Sequence, residues 1–445
     1  MAAERAKAVF LVDGEHHPAT VLAAIRTLAE RDRMLPVGLF FLGGTEKLED
    51  LSQLRSPEWE LVVAEDPVKD LASALRRLKP GVVVDLSDLP VLGPGLRMSL
   101  AATSLALGIT YRGADFTFTS PLRERILKRP SCAVIGTGKR CGKTAISAEM
   151  ARFLKAEGHD PVVVAMGRGG PAEPYLVTGK VDEAFLLGEL EKGLHAASDH
   201  YEDALVSGLV TVGSRRCGGG MAGQPFVTNC AEAVRLAETL PGDVVVVEGS
   251  GSSIPPVATG ATICVISAAQ DLEEALGYLG PYRLLISDGV VITMCEEPFA
   301  SPHKIKELRE RIKRIKNDII VVETVFRPHP LKPISGRKVF LVMTAPEAAA
   351  GIMRRYLEEK TGCRLVGAST QLAERKALRR DLEEAGDAEV LLSELKAAAV
   401  EVVARFARER GKEMVYFHNL PVPVGGEGEL DNFFRIMWKK AVEER

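Results

Sequence analysis

At 445 residues the chain is longer than one ordinary core needs, and about three domains are expected from length alone. Its 46% hydrophobic and 26% charged residues describe an ordinary globular composition, and a formal net charge of −3 gives no reason to expect nucleic acid or an anionic membrane as partner. Seven single cysteines with no CxxC pair argue against a disulfide framework or a zinc site and for reduced thiols in the cytoplasm.

The opening MAAERAKAVFLVDG reads as a strand without a signal-peptide cleavage pattern, and no apolar stretch approaches the ~20 residues needed to span a bilayer. A cytoplasmic protein is expected. Unalternating Val/Ile/Leu runs at 8–13, 36–42, 60–64 and 82–86 are what strands covered on both faces look like, with helical periodicity at 19–31 and 68–78 between them. This β-α-β-α pattern predicts a Rossmann-like N-terminal domain over residues 1–127.

A second strand series is predicted at 132–135, 161–166, 243–247, 262–266, 283–286, 289–294 and 318–322, in a domain spanning 128–335. Its middle, 176–240, reads as helix-rich with a glycine-heavy insert. The proline-rich FRPHPLKPI, 326–334, reads as a linker, because proline disfavours helix and central strand alike. A smaller α/β domain over 336–445 follows, with strands at 338–343, 364–368, 389–392 and 414–418. Its helix 395–410 carries Leu395, Ala398, Ala399, Val402, Val403 and Phe406 on one stripe, which is core spacing.

The strongest chemical signal is CAVIGTGKRCGKT, 132–144, a hydrophobic strand entering a glycine-bearing loop followed directly by a helical pattern. Such a loop folds backbone N–H groups and a helix N-terminus around phosphate. Gly136, Thr137, Gly138, Cys141, Gly142, Lys143, Thr144 and Ala145 are the expected ATP-binding residues. Lys143 is expected along the β- and γ-phosphates and the Thr144 hydroxyl on Mg²⁺. The match is shifted, since the usual pattern wants glycine where Thr137 stands and the glycine is Gly136.

VVVVEGSG, 244–251, ends a strand in Glu248, where Mg²⁺ needs a carboxylate. Arg168 in VAMGRGGPAEPY is expected beside the γ-phosphate as a substrate or transition-state contact. Lys139 and Arg140 lie within the phosphate loop and suit charge neutralisation. Arg215 and Arg216 in GSRRCGGGMAGQPF suit bidentate capture of phosphate or carboxylate, with a flexible solvated loop as the plain alternative. Asp13–His17 closes the first strand at a ligand-prone edge, where a structural turn is equally expected, and Arg327, His329 and Lys332 add charge to the linker. The N-K-x-D segment of guanine switches is missing; Thr293–Glu297 stands at the comparable position and suits adenine.

These segments, with VVVVEGSGSSIPPV, TVFRPHPLKPISGRKVFLVMTAP, SELKAAAVEVV and the opening LVDGEHHP, resemble the cyclic 2,3-diphosphoglycerate synthetase family over nearly the whole chain. The resemblance implies a central P-loop NTPase domain of dethiobiotin-synthetase type in an α/β protein with mainly parallel sheets. It implies that ATP phosphorylates 2,3-bisphosphoglycerate to a mixed anhydride that closes to the cyclic product, releasing ADP and phosphate. Lys143, Lys139, Arg140 and Arg168 would be catalytic, Arg168, Arg215 and Arg216 would bind substrate, and Thr144 and Glu248 would hold Mg²⁺. Another ATP-dependent small-acid kinase or ligase of dethiobiotin-synthetase type is the alternative, and a homodimer is expected because relatives of this loop often pair.

Overall fold

The structure, a computed structural model, describes residues 5–48, 50–179, 181–192, 199–395, 399–426 and 429–444. It contains two compact units, Met1–Pro121 with Leu272–Ile286, and Leu122–Asp271 with Ser287–Arg445.

In the first unit, β1 (Ala6–Val12), β2 (Met34–Phe41), β3 (Glu60–Val63), β4 (Val82–Asp85), β5 (Thr110–Arg112) and β6 (Thr117–Phe118) form one sheet in the order β3-β2-β1-β4-β5-β6. All pairs are parallel except β5 with β6. Helices Pro18–Arg31, Pro67–Leu78 and Pro94–Ala106 each begin with proline in the first turn, where its missing N–H is no loss. Residues 283–286, expected as a strand, instead belong mostly to helix Gly280–Leu285, which packs on Pro94–Ala106. A four-residue apolar run cannot by itself distinguish a short buried helix from a strand.

Among the described residues the second unit is built on 13 strands. They are β7 (Ser131–Gly136), β8 (Pro161–Gly167), β9 (Tyr175–Val177), β10 (Thr211–Cys217), β11 (Val227–Thr228), β12 (Val244–Glu248), β13 (Ala261–Ser267), β14 (Gly289–Thr293), β15 (Ile320–Pro330), β16 (Lys338–Val342), β17 (Arg364–Ser369), β18 (Val390–Glu394) and β19 (Glu413–Gly426). Their order is β11-β10-β8-β12-β7-β13-β14-β15-β19-β18-β16-β17, with β9 against β10. From β10 to β15 every pair is parallel. The wholly buried VVVVE of β12 and SCAVIG of β7 show why the runs lack alternation: both faces are covered. The region 176–240 thus holds β10 as well as helices, its strand disguised by the polar SRRC at its end.

The expected linker 326–334 is also corrected, because β15 runs to Pro330 and pairs antiparallel with β19 from Val322↔Gly426 to Pro330↔Phe417. Parallel pairing with β14 ends at Glu323, so the proline-bearing half has a neighbour on one side only. Pro328 and Pro330 are two residues apart, so their missing N–H groups fall together on the open side. Helix Leu430–Glu443 returns to the phosphate-loop half, where Phe433 packs so closely on Gly289 that a Cβ there would lie 2.4 Å from its ring. On the predicted stripe, Ala398 lies outside the described residues; Leu395, Ala399, Val402 and Val403 are buried.

Candidate active site

The loop between β7 and helix Lys143–Ala156 is closed by its own side chains. Lys143, 7% exposed, donates through Nζ to the Gly138 carbonyl at 3.0 Å, and the Cys141 thiol reaches the same carbonyl at 3.3 Å. Thr293 Oγ1 at the end of β14 donates to the Cys141 carbonyl at 2.7 Å. Gly142 has φ +95° and lies against Phe326, whose ring a Cβ would meet at 2.4 Å. The shifted glycine has a physical reason. Thr137 needs no positive φ, and its hydroxyl bonds to Gln270 Oε1 at 2.7 Å, whereas a Cβ on Gly136 would lie 2.6 Å from the Cys141 sulfur. Lys139 and Arg140 are both exposed.

One strand over, Glu248 ends β12 at 4% exposure. Thr144 Oγ1 donates to its Oε1 at 2.9 Å, while Oε2 is buried and no donor among the described residues reaches it. Burial raises the Glu248 pKa and the Asp199 charge adds to this; Asp203, Lys143 and Thr144 act in the opposite direction. A hydroxyl and a carboxylate oxygen lacking a donor are hard donors that fit a divalent cation such as Mg²⁺. Among the described residues no cluster of three or more His, Cys, Asp or Glu side chains is arranged to hold a metal, so much of such an ion's shell would be water, as Mg²⁺ prefers.

Arg168 follows β8, and Arg216 lies in β10. Their guanidinium groups converge on Gly251, where a Cβ would come within 2.5 Å of Arg168 Nη2 and 2.9 Å of Arg216 Nη2. Arg216 donates to the carbonyls of Gly218 at 3.0 Å and Ser250 at 2.9 Å, leaving its Nε buried without a partner. Burial, then the Arg168 charge, lowers the Arg216 pKa. Neither guanidinium pairs with a carboxylate among the described residues. Arg215, its neighbour along the strand, is exposed and on the opposite face. Asn229 fixes this arrangement, accepting from Arg215 N at 2.7 Å and donating to the carbonyls of Pro171 and Ala172 in the Arg168 loop.

Sequence reasoning missed Ser253, whose hydroxyl is buried and unbonded beside Arg216; the only signal was the small polar run GSGSS after Glu248. It also missed a cavity of about 320 Å³ beside the loop. Lys139, Arg140 and Thr144 line one side and Met294, Phe299 and Phe326 another. Residues from the last strands close it. Glu394 accepts from Thr344 N at 2.8 Å and Asn419 Nδ2 at 2.7 Å, and His418 sits 3.1 Å from both terminal nitrogens of Arg152. The weaker candidates are engaged structurally. Asp13 accepts from the backbone of Glu15, His16 and Asp88 and from the His16 ring, and His17 caps helix Pro18–Arg31. Arg327 pairs with Glu296 at 2.6 Å, Lys332 with Glu413 at 3.3 Å, and the His329 ring lies against that of His418.

A strand–loop–helix phosphate cradle in the middle of a parallel sheet, with a carboxylate at the next strand end, defines a P-loop nucleotide-binding enzyme. Three family models, the N-terminal, P-loop and C-terminal domains of cyclic 2,3-diphosphoglycerate synthetase, match residues 7–119, 131–325 and 330–420. The chain is 46% identical over 427 residues to the cyclic 2,3-diphosphoglycerate synthetase of Rubrobacter xylanophilus, covering 95% of this chain and 96% of that protein. It is 42% identical over 453 residues to that of Methanothermus fervidus, covering 99% and 98%. The chain belongs to the cyclic 2,3-diphosphoglycerate synthetase family. A more distant likeness, with a TM-score of 0.42 and 12% identity over 72% of this chain and 91% of the other, is to LpxK of Aquifex aeolicus. Among the described residues no helix is long and apolar enough to cross a membrane.

Proposed function

We propose that this chain makes cyclic 2,3-diphosphoglycerate from 2,3-bisphosphoglycerate and ATP. The γ-phosphoryl group of ATP passes to an oxygen of one substrate phosphate, leaving ADP and a mixed phosphoric anhydride. An oxygen of the second substrate phosphate then attacks the substrate-bound phosphorus. The bond to the added phosphoryl group breaks, inorganic phosphate leaves, and the ring closes through a P–O–P link.

The observation that carries this reading is the pair Arg168 and Arg216, two guanidinium groups that converge at the strand edge beside Glu248 and, among the described residues, form no ion pair with a carboxylate. An acceptor with two phosphates and a carboxylate, brought to ATP, needs such cations. Two unit charges 4 Å apart interact by about 4 kcal/mol at an effective dielectric near 20. Lys143 steadies the transferring phosphate, and Lys139 and Arg140 supply further positive charge from the loop. Arg215, exposed on the other face, serves as an outer attraction for the acceptor. Gly136, Thr137, Gly138, Cys141, Gly142 and Ala145 shape the phosphate cradle, and adenine lies among Met294, Phe299 and Phe326. Thr144 and Glu248 hold Mg²⁺, which supplies charge neutralisation at the β- and γ-phosphates when bound.

The division of labour follows domains at 1–127, 128–335 and 336–445, in keeping with three separately matched family models. The chain works in the cytoplasm, a reading supported by seven free cysteines, and as a homodimer. Sedimentation giving a strict monomer would remove the last point. The test of the reaction is ³¹P NMR with Mg·ATP and 2,3-bisphosphoglycerate. Loss of both monoester signals, new pyrophosphate-type resonances and one inorganic phosphate per ADP are expected. Unchanged substrates would exclude this acceptor.

A further inference from the structure

Helix Asp199–Ser207 carries a carboxyl group that no motif announced. Asp203 is 0% exposed, and among the described residues no donor group reaches either of its oxygens; the group within hydrogen-bond reach is the Glu248 carboxyl, and two acids can be joined only by a shared proton or a cation. Asp203 faces Glu248, whose Oε2 is also buried and without a donor while its Oε1 holds the Thr144 hydroxyl. Three carboxyl oxygens without donors therefore meet in one water-excluded place at the start of the phosphate-loop helix. Buried acceptors left bare are rare because nothing replaces their lost hydration.

The helix is fixed there by packing. It lies on helix Lys143–Ala156, and Arg152 of that helix donates to the Val206 carbonyl at 3.2 Å. His200 on the same helix fills the space over Gly213, where a Cβ would fall 2.5 Å from its ring. Asp203 is thus held against Glu248 by neighbours on both sides, at the expense of two adjacent acids. A bound cation removes that expense.

We propose that Asp203 is a third holder of the divalent cation, acting directly or through one water alongside Thr144 and Glu248. This rests on the reading of Thr144 and Glu248 as the magnesium groups. Hard oxygen donors, two of them carboxylates, are what Mg²⁺ accepts while keeping several waters. The assignment gives the insert between β9 and β10 a task beyond covering the sheet: it supplies charge to the metal from a helix, where the motif supplies it from a loop and a strand.

The test uses Mn²⁺ as the probe, with the full chain titrated by electron paramagnetic resonance in the presence of ADP. Asp203→Asn, which keeps the size of the side chain, is expected to weaken Mn²⁺ binding at least about tenfold. It should leave metal-free ADP affinity unchanged, raise the metal-free melting temperature, and shrink the rise that Mn²⁺ produces. Unchanged Mn²⁺ affinity in Asp203→Asn, with loss in Glu248→Gln and Thr144→Ala, overturns this proposal alone. Unchanged affinity in all three overturns the underlying metal assignment as well. If Asp203→Asn fails to fold, anomalous diffraction from crystals of the native chain grown with Mn²⁺ and ADP decides. A peak within direct or one-water reach of both Asp203 and Glu248 is expected, and a peak beyond one-water reach of Asp203 overturns the proposal.

Discussion

The hydrogen bonds of Lys143 among the described residues stay within its own loop, so its loss should remove catalysis without removing the fold. Lys143→Ala is expected to lower kcat by at least about 100-fold, roughly 2.7 kcal/mol of transition-state stabilisation, with a melting temperature near that of the native chain. Steady-state kinetics with circular dichroism checks both halves; near-normal turnover would dismiss the phosphate-loop role. Arg215 and Arg216 separate on the same reasoning. Arg216→Ala should raise the acceptor KM by roughly 10- to 100-fold, as for a lost charged hydrogen bond, and leave the ATP KM within about threefold. Arg215→Ala should do less, because its side chain lies on the exposed face. Gly251 has φ +59° and no room for a methyl group, so Gly251→Ala should mimic Arg216→Ala in acceptor KM. Equal effects on ATP and acceptor would make the turn a nucleotide element. At this scale the grouping of Lys143, Thr144 and Glu248 was legible because a motif sets such residues at the ends of a strand and a helix. Ser253 and Asp203 were not, since a serine in a turn and an aspartate on a helix are ordinarily solvated and only the packing shows both buried.

At the scale of elements, legibility followed length and neighbours. β12 and β7 could be read from composition because strands buried on both faces must be apolar throughout. Residues 283–286 could not, being too short for a period to form, and β15 was hidden because its prolines are excluded only where both edges are paired. The helices and late strands also carry two buried histidines with a measurable consequence. Burial pushes the His200 pKa down to about 4 and that of His418 down to about 3, so both are neutral in the folded chain at pH 7. A histidine whose folded pKa is depressed is protonated first in the unfolded chain. The stability it contributes is present above about pH 6.5 and is lost as pH falls toward the folded values. Urea unfolding followed from pH 7 to pH 5 should show stability falling by up to about 1.4 kcal/mol per pH unit for each histidine. His418→Phe should reduce that slope, and an unchanged slope would assign the acid sensitivity elsewhere.

At the scale of the molecule, three matched regions do not translate into three separable sheets. The 13 strands of the second unit continue from β15 to β19 through an antiparallel pair, and the last helix returns Phe433 and Phe434 to the core under the phosphate loop. A chain truncated after residue 335 would expose β15 as an edge and empty that core. It is expected to aggregate or to melt far below the full chain, as judged by light scattering and thermal denaturation. A stable, monomeric, ATP-binding fragment would contradict this dependence. The sequence could suggest the boundaries, but the register of β15 with β19 joins residues about 100 positions apart, which no local pattern encodes.

The segment Leu272–Ile286 completes the first unit from the middle of the second. On the ribosome, the first unit therefore waits for its last helix until more than half the chain has been made. At roughly 5–20 residues per second the interval between residues 121 and 286 lasts on the order of ten seconds or more. During that time the nascent sheet β3-β2-β1-β4-β5-β6 stands without the helix that covers Pro94–Ala106. Synthesis order and folding order are thus interleaved, and the emerging chain spends that interval with an apolar surface for chaperones to hold.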